Sequence, residues 1–156
     1  MVNLTSNIKY RLFVVAILAG ALLPGAFAPH HLWPLAIVSP AILLWVWQKN
    51  TTAKQAFMSG LGYGLGMFGV GVSWVFVSIH RYGNTNIPLA VLITSLLVIV
   101  LALFIATQGY VLKRFFRGNT TAFCLLGFPS GWVLFEWLRS WLFTGFPWLY
   151  LGYSQL

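Results

Sequence analysis

Between Ile87 and Leu112 the chain runs for 26 residues without one charged side chain. At about 1.5 Å per residue, a helix of that length is more than enough to cross a hydrocarbon core of about 30 Å. In water such a segment would need wrapping by polar-faced protein, and the rest of the chain has little to offer. Of its 156 residues, 60% are hydrophobic and 6% charged, where soluble domains carry about 25% charged residues. A membrane protein is the class that fits. The net charge of +8, nine Lys and Arg against the single acid Glu136, would suggest nucleic acid in a soluble protein. Here the basic residues lie in short clusters between apolar runs, the distribution of a polytopic membrane protein. Nucleic acid is therefore not an expected partner.

Five apolar stretches emerge, at 12–28, 32–47, 56–79, 87–112 and 122–143. The expected fold is an all-α membrane bundle of about five transmembrane helices. Residues 1–11 form its cytoplasmic N-terminus and 144–156 an external aromatic segment. The first two stretches are short, contain Pro24, Pro34 and Pro40, and are linked only by Pro29-His30-His31. They read as a tight hairpin that packs against protein, where neighbouring helices can meet the backbone groups freed by proline. Lys9, Arg11, Lys49, Lys54, Lys113, Arg114 and Arg117 fall on one side of these spans, against Arg81 and Arg139 on the other. That bias places the N-terminus in the cytoplasm and residues 144–156 outside. Lys9, Arg11 and the run ending Ala26-Phe27-Ala28 also resemble a cleavable signal peptide. Pro29 would be a poor first residue of a mature chain, so the segment is expected to remain.

The stretch "GLGYGLGMFGVGVSW" (60–74) contains a literal G-x-G-x-x-G at Gly64, Gly66 and Gly69. A dinucleotide fingerprint needs a preceding strand, a helix opening within it and an acid about 20 residues on. These glycines sit in the middle of an apolar run, and no acid follows before Glu136. No nucleotide is expected. At about 100° per residue, Gly60, Gly64 and Gly71, joined by Ser78, share one stripe of a helix, and Gly62, Gly66, Gly69 and Ser73 share a second on the other side. In lipid, small residues let helix backbones approach closely. The third helix is expected to be sandwiched between two others.

Few residues could carry chemistry. Glu136 and Arg139 share a helix face at three-residue spacing. Ionisable residues in a membrane span face protein, water or a polar ligand, so the pair reads as a mutual ion pair, as a contact to a lipid phosphate, or as both. "TGFPWLYLGYSQ" (144–155) supplies Phe146, Trp148, Tyr150 and Tyr153. These suit an interfacial aromatic belt or, more sharply, the floor of a site that admits lipid chains. "SWVFVSIH" (73–80) brings Trp74 and His80 to the same leaflet, with His80 read as an anchor rather than a base. His30 and His31 invite the same reading. Cys124 lies in an apolar run and reads as a packing residue. One Cys and one acid make neither a metal site nor a nucleophilic triad. No metal and no cofactor are expected.

"FAPHHLWPLAIVSPAILL" (27–44), "GYGLGMFGVGVSWVFVSIHRYG" (62–83) and above all "WVLFEWLRSWLFTGFPWLYLGYSQ" (132–155) resemble the N-terminal membrane half of bacterial apolipoprotein N-acyltransferases. The resemblance implies an inner-membrane enzyme that moves a fatty acid from a phospholipid to the N-terminal cysteine of lipoproteins at the periplasmic face. It also implies a periplasmic nitrilase-like domain carrying a catalytic Cys, Glu and Lys. None of that triad carries over: Cys124 falls near the cytoplasmic end of its helix, and Glu136 belongs to the membrane motif. The chain is thus expected to be the membrane part of such an enzyme, truncated before the catalytic domain and inactive alone. Its partners would be the phospholipid acyl donor, the lipoprotein and membrane lipids. Glu136, Arg139 and Trp148 are the residues expected to line lipid access or hold the catalytic domain. A small non-enzymatic membrane protein, a transporter subunit or assembly partner, is the alternative. Thr94, Ser95, Thr107 and Gln108 in the fourth stretch give it weak support, and Gln108 and the glycine stripes fit ordinary helix packing at least as well.

Overall fold

The computed structural model describes residues 4–116, 118, 120–142 and 145–155. Arg117, from the basic cluster, and Phe143 and Thr144, where the fifth stretch was expected to end, lie outside the described residues. The described residues are helical, with no strand among them. Helix α1 (Leu4–Leu22) continues into a 3-10 turn, Leu23–Ala26. Helices α2 (Leu35–Lys49), α3 (Ala53–Gly71) and α4 (Trp74–Val77) follow, and α4 runs on as a π-helical turn, Ser78–Tyr82. Then come α5 (Ile87–Phe115), α6 (Thr120–Ala122) with a π turn Phe123–Gly127, α7 (Phe128–Trp141), and a last 3-10 turn Leu151–Gln155.

Three of these segments are long and apolar enough to cross a membrane: Asn7–Ala26, Ile87–Phe115 and Thr120–Trp141. A fourth span results if α3 and the segment Trp74–Tyr82, which meet at 48°, are counted together. The expected five are therefore three or four. The shortfall is α2, whose 15 residues reach only about 22 Å at ~1.5 Å each. It is held instead as a prop with one buried face, formed by Ser39, Leu43, Val46 and Trp47. Ser39 Oγ donates to Ala19 O of α1 (2.7 Å) and shares a 2.6 Å hydrogen bond with Tyr63 OH of α3. Trp47 Nε1 donates to Ala56 O of α3 at 3.1 Å.

The glycines of α3 explain the middle of the bundle. A Cβ at Gly64 would stand 2.6 Å from Ala102 Cα, and one at Gly60 2.7 Å from Ile105 O, both on α5. On the other flank, a Cβ at Gly62 would meet the Phe13 ring at 2.9 Å, and one at Gly66 would run into Ile17 O, both on α1. The helix is sandwiched between α1 and α5, and van der Waals contact at this backbone spacing is what drives association in lipid.

Both stripes end sooner than their spacing predicts. A Cβ at Gly69 would meet no neighbouring element within 4 Å, and one at Gly71 would meet Leu149 and Pro24 rather than a helix face. The regular ladder lapses just after Gly71: Val72 N still donates to Phe68 O (3.0 Å), but Ser73 N slips to Val70 O at 3.4 Å. Glycine is a common site of sharp helix bends. Ser73 and Ser78 therefore lie beyond the bend, off the stripes to which helical phase had assigned them. Helix α5 opens on a side-chain cap: Asn86 Oδ1 accepts from Leu89 N (3.0 Å), and Pro88 sits in the first turn.

The charges sort to the two ends. Lys113 Nζ donates to Trp47 O (3.0 Å) at the C-terminus of α2, close to Lys49, while Lys9 and Lys54 line one cleft with Asn50. Cys124 lies at this basic end too, its Sγ accepting from Gln48 Nε2 at 2.9 Å. Glu136, Arg139 and the segment 145–155 occupy the opposite end.

Candidate functional site

Helix α7 ends at Trp141, where Leu142 is already extended (φ −67°, ψ 137°), and Gly145 follows with a left-handed φ of +79° that costs glycine little. A Cβ there would collide with Ser140 O. Gly145 N donates to Leu142 O (3.0 Å) and Phe146 N to Arg139 O (2.9 Å), tying the returning segment to the end of the helix. The chain then folds back over the helix it has just left.

Two side chains of α7 hold it there. Arg139 is 4% exposed. Its Nη1 donates to Trp148 O at 2.8 Å, and its guanidinium lies between the rings of Phe68 (5.0 Å) and Tyr150 (4.8 Å). A desolvated cation between two ring faces is worth on the order of 2 kcal/mol per face. Glu136 Oε1 accepts from Trp132 Nε1 (3.0 Å) and from Leu151 N (2.8 Å). No ion pair between Glu136 and Arg139 is found among the described residues. The helical spacing does put both on one face, but each reaches for the returning backbone and not for its neighbour.

What they position is one wall of an apolar cleft of about 740 Å³. Trp148, Pro147, Leu149 and Tyr153 form that wall. The opposite wall is the end of α1 with Pro24, Gly25 and Phe27, and the floor is Val70, Gly71 and Trp74 of the bent segment. Trp74 and Trp148 meet at 5.2 Å between ring centroids. Leu22, Leu32, Val70, Trp74, Trp148 and Tyr153 are each about half-exposed along it (46, 55, 51, 45, 47 and 54%). Its volume lies in the range of small-molecule sites, roughly 300–1,000 Å³.

Of the three residues singled out from sequence, Trp148 lines the cleft. Glu136 and Arg139 do not; they stand behind it and fix the backbone that carries Trp148. His30 lies at the rim. His80 is an anchor, its Nδ1 2.8 Å from Thr85 O and its ring stacked on Phe76.

Sequence reading did not foresee the wall made by Pro24–Leu35, because its residues are ordinary apolar ones far from 148 in the chain. In the sequence, Gln108 counts as weak support for a transporter or as a packing residue, not as a neighbour of Glu136 and Arg139. This side chain is fully buried, with neither amide atom hydrogen-bonded, and it faces a small void shared with Trp132, Glu136 and Arg139. A glutamine inside an apolar run was the available signal.

Comparison with known proteins adds an independent line. Residues 19–156 match the family model described as the apolipoprotein N-acyltransferase N-terminal domain. The chain is 58% identical over 144 residues to an apolipoprotein N-acyltransferase of Coxiella burnetii, covering 92% of this chain and 30% of that protein. Against the protein of the same name from Methylococcus capsulatus it is 46% identical over 142 residues, 91% of this chain and 28% of that one. Against the one from Vibrio cholerae it is 40% identical over 155 residues, 98% of this chain and 30% of that one. The chain thus spans less than a third of the length of these relatives.

Proposed function

The chain belongs to the apolipoprotein N-acyltransferase family, as part of its N-terminal domain, and from that premise we propose that it is the membrane-embedded part of an enzyme transferring a fatty acyl chain from phospholipid to the N-terminal cysteine of lipoproteins. The chain alone is inactive, and the chemistry belongs to residues outside it. Its basic end faces the cytoplasm and the cleft opens at the periplasmic leaflet of the bacterial inner membrane, a placement supported by the excess of Lys and Arg at the other end.

The observation that carries this reading is the apolar cleft, with Trp148 clamped in its wall by Arg139. An acyl chain drawn from the bilayer toward a reaction at the membrane surface would cost about 0.8 kcal/mol for every CH₂ exposed to water. A cleft lined by Trp74, Trp148, Leu149 and Tyr153 removes that cost. It adds no hydrophobic gain, because lipid tails are already in an apolar medium. Selectivity must then come from shape, and the aromatic wall supplies it. Trp148 is the residue in contact with the lipid. Glu136 and Arg139 are positioning residues that act through the backbone of Trp148–Leu151.

In the enzyme containing this chain, Trp148→Ala should raise the KM for phospholipid about tenfold, the equivalent of ~1.4 kcal/mol, and leave kcat little changed. Arg139→Ala should shift the same parameter, since it frees the wall. An unchanged phospholipid dependence in both variants would sink the lipid-access role.

A further inference from the structure

A second cleft, of about 640 Å³, opens at the opposite end of the bundle. Its walls are the second and third turns of α1 (Lys9, Tyr10, Leu12, Phe13), the α2–α3 link (Asn50, Thr52) and the first turns of α3 (Lys54, Gln55, Met58, Ser59). The polar side chains of the link and α3 are satisfied within the protein. Asn50 Nδ2 donates to Ser59 Oγ (2.6 Å), Gln55 Oε1 accepts from Thr51 N (3.0 Å), and Thr52 Oγ1 accepts from Gln55 N (3.2 Å). The two lysines are not. Both are exposed, and neither has a partner among the described residues.

The chain has no anion to offer them. Its one acid is Glu136, which binds Leu151 N at the other end. Lys113, a cation of the same end, shows the contrast: it is bound to the carbonyls of Trp47 and Gln48. The positive end of the α3 dipole adds to the field of Lys9 and Lys54. Below the lysines the cleft turns apolar at Leu12, Phe13 and Met58. Cationic rim and apolar floor, one helical turn apart at the end of a membrane-spanning helix, match an anionic headgroup above the start of its acyl chains.

We propose that this cleft binds an anionic phospholipid of the leaflet at the basic end, with Lys9 and Lys54 on its phosphate and Leu12, Phe13 and Met58 against its first methylenes. The site lies across the bundle from the aromatic cleft and holds a bound lipid, not a reactant. It does not depend on the acyl-transfer reading.

Native mass spectrometry of the purified protein in zwitterionic detergent, with phosphatidylglycerol and phosphatidylcholine added together, tests it. Phosphatidylglycerol should be retained in preference. Lys9→Gln with Lys54→Gln should lower its retention roughly fivefold per lysine, on the order of twentyfold together. Lys49→Gln with Arg114→Gln removes the same charge at the same end outside the cleft, and should keep the preference, as should Trp148→Ala. If the control pair loses as much as the cleft pair, general surface charge is responsible and the site is refuted. Retention unaffected by the cleft pair refutes it as well. Displacement of the lipid by inorganic phosphate would show that the cleft takes the ion alone, which also overturns the lipid assignment.

Discussion

The charged groups at the two clefts of this bundle are treated in opposite ways. At the aromatic end, Arg139 is buried and Glu136 partly so, and each is bound to the protein's own backbone, at Trp148 O and Leu151 N. At the basic end, Lys9 and Lys54 stand exposed around a cleft, with no acid in reach. A charge satisfied internally fixes structure, because moving it would leave a desolvated group unpaired. A charge left unsatisfied at the rim of a cleft is free to take a partner from outside. The aromatic end therefore works by shape and the basic end by charge.

Both ends hang from the same glycine-packed middle, so the largest effect is expected there. Gly66→Val forces a side chain into Ile17 O, where only backbone movement can relieve it. It should destabilise the protein by about 3 kcal/mol or more, read as a loss of melting temperature in detergent. Gly69→Ala meets nothing within 4 Å and should be neutral or slightly stabilising, since alanine is the better helix former. Equal losses in the two variants would mean that backbone approach is not what holds α1, α3 and α5 together.

The next largest effect belongs to the aromatic end. Arg139→Met keeps much of the apolar stem but leaves Trp148 O without its charged donor, which should cost about 2 kcal/mol and expose residues 145–155 to protease. Glu136→Gln separates charge from hydrogen bonding. Its amide oxygen can still accept from Trp132 Nε1 and Leu151 N, so the loss should stay below about 1 kcal/mol, with Glu136→Ala closer to 2. If Glu136→Gln is as damaging as Glu136→Ala, the carboxylate's charge matters and not its geometry. Smallest of all, Lys9→Gln with Lys54→Gln should leave the melting temperature in lipid-free detergent unchanged, because neither lysine has an internal partner. A clear loss there would erase the contrast between the ends.

Much of this was legible in the chain, for reasons that are local. The period of a helix alone places Gly60 and Gly64 on one flank and Gly62 and Gly66 on the other, and the structure puts α5 and α1 against them. The clustering of Lys9, Lys49, Lys54 and Lys113 announces a basic end. The three-residue spacing of Glu136 and Arg139 was legible too, but it carried less than it promised. A shared helix face says that two groups are near each other, and is silent on what else comes near.

What only the tertiary structure decided follows from that silence. The return of residues 145–155 over α7 gives Glu136 and Arg139 backbone partners, and so draws them away from a mutual ion pair. The bend after Gly71 admits Leu149 beside it and takes Trp74 out of line with α3, so that it can meet Trp148. The shortness of α2 turns an expected span into a prop fixed by Ser39 and Trp47. Periodicity and composition fix which face of each helix is apolar, small or charged, because those depend on neighbours three and four residues away. A cleft depends on which faces meet, and its walls at Pro24–Leu35, Val70–Trp74 and Pro147–Tyr153 are joined only by packing across the fold.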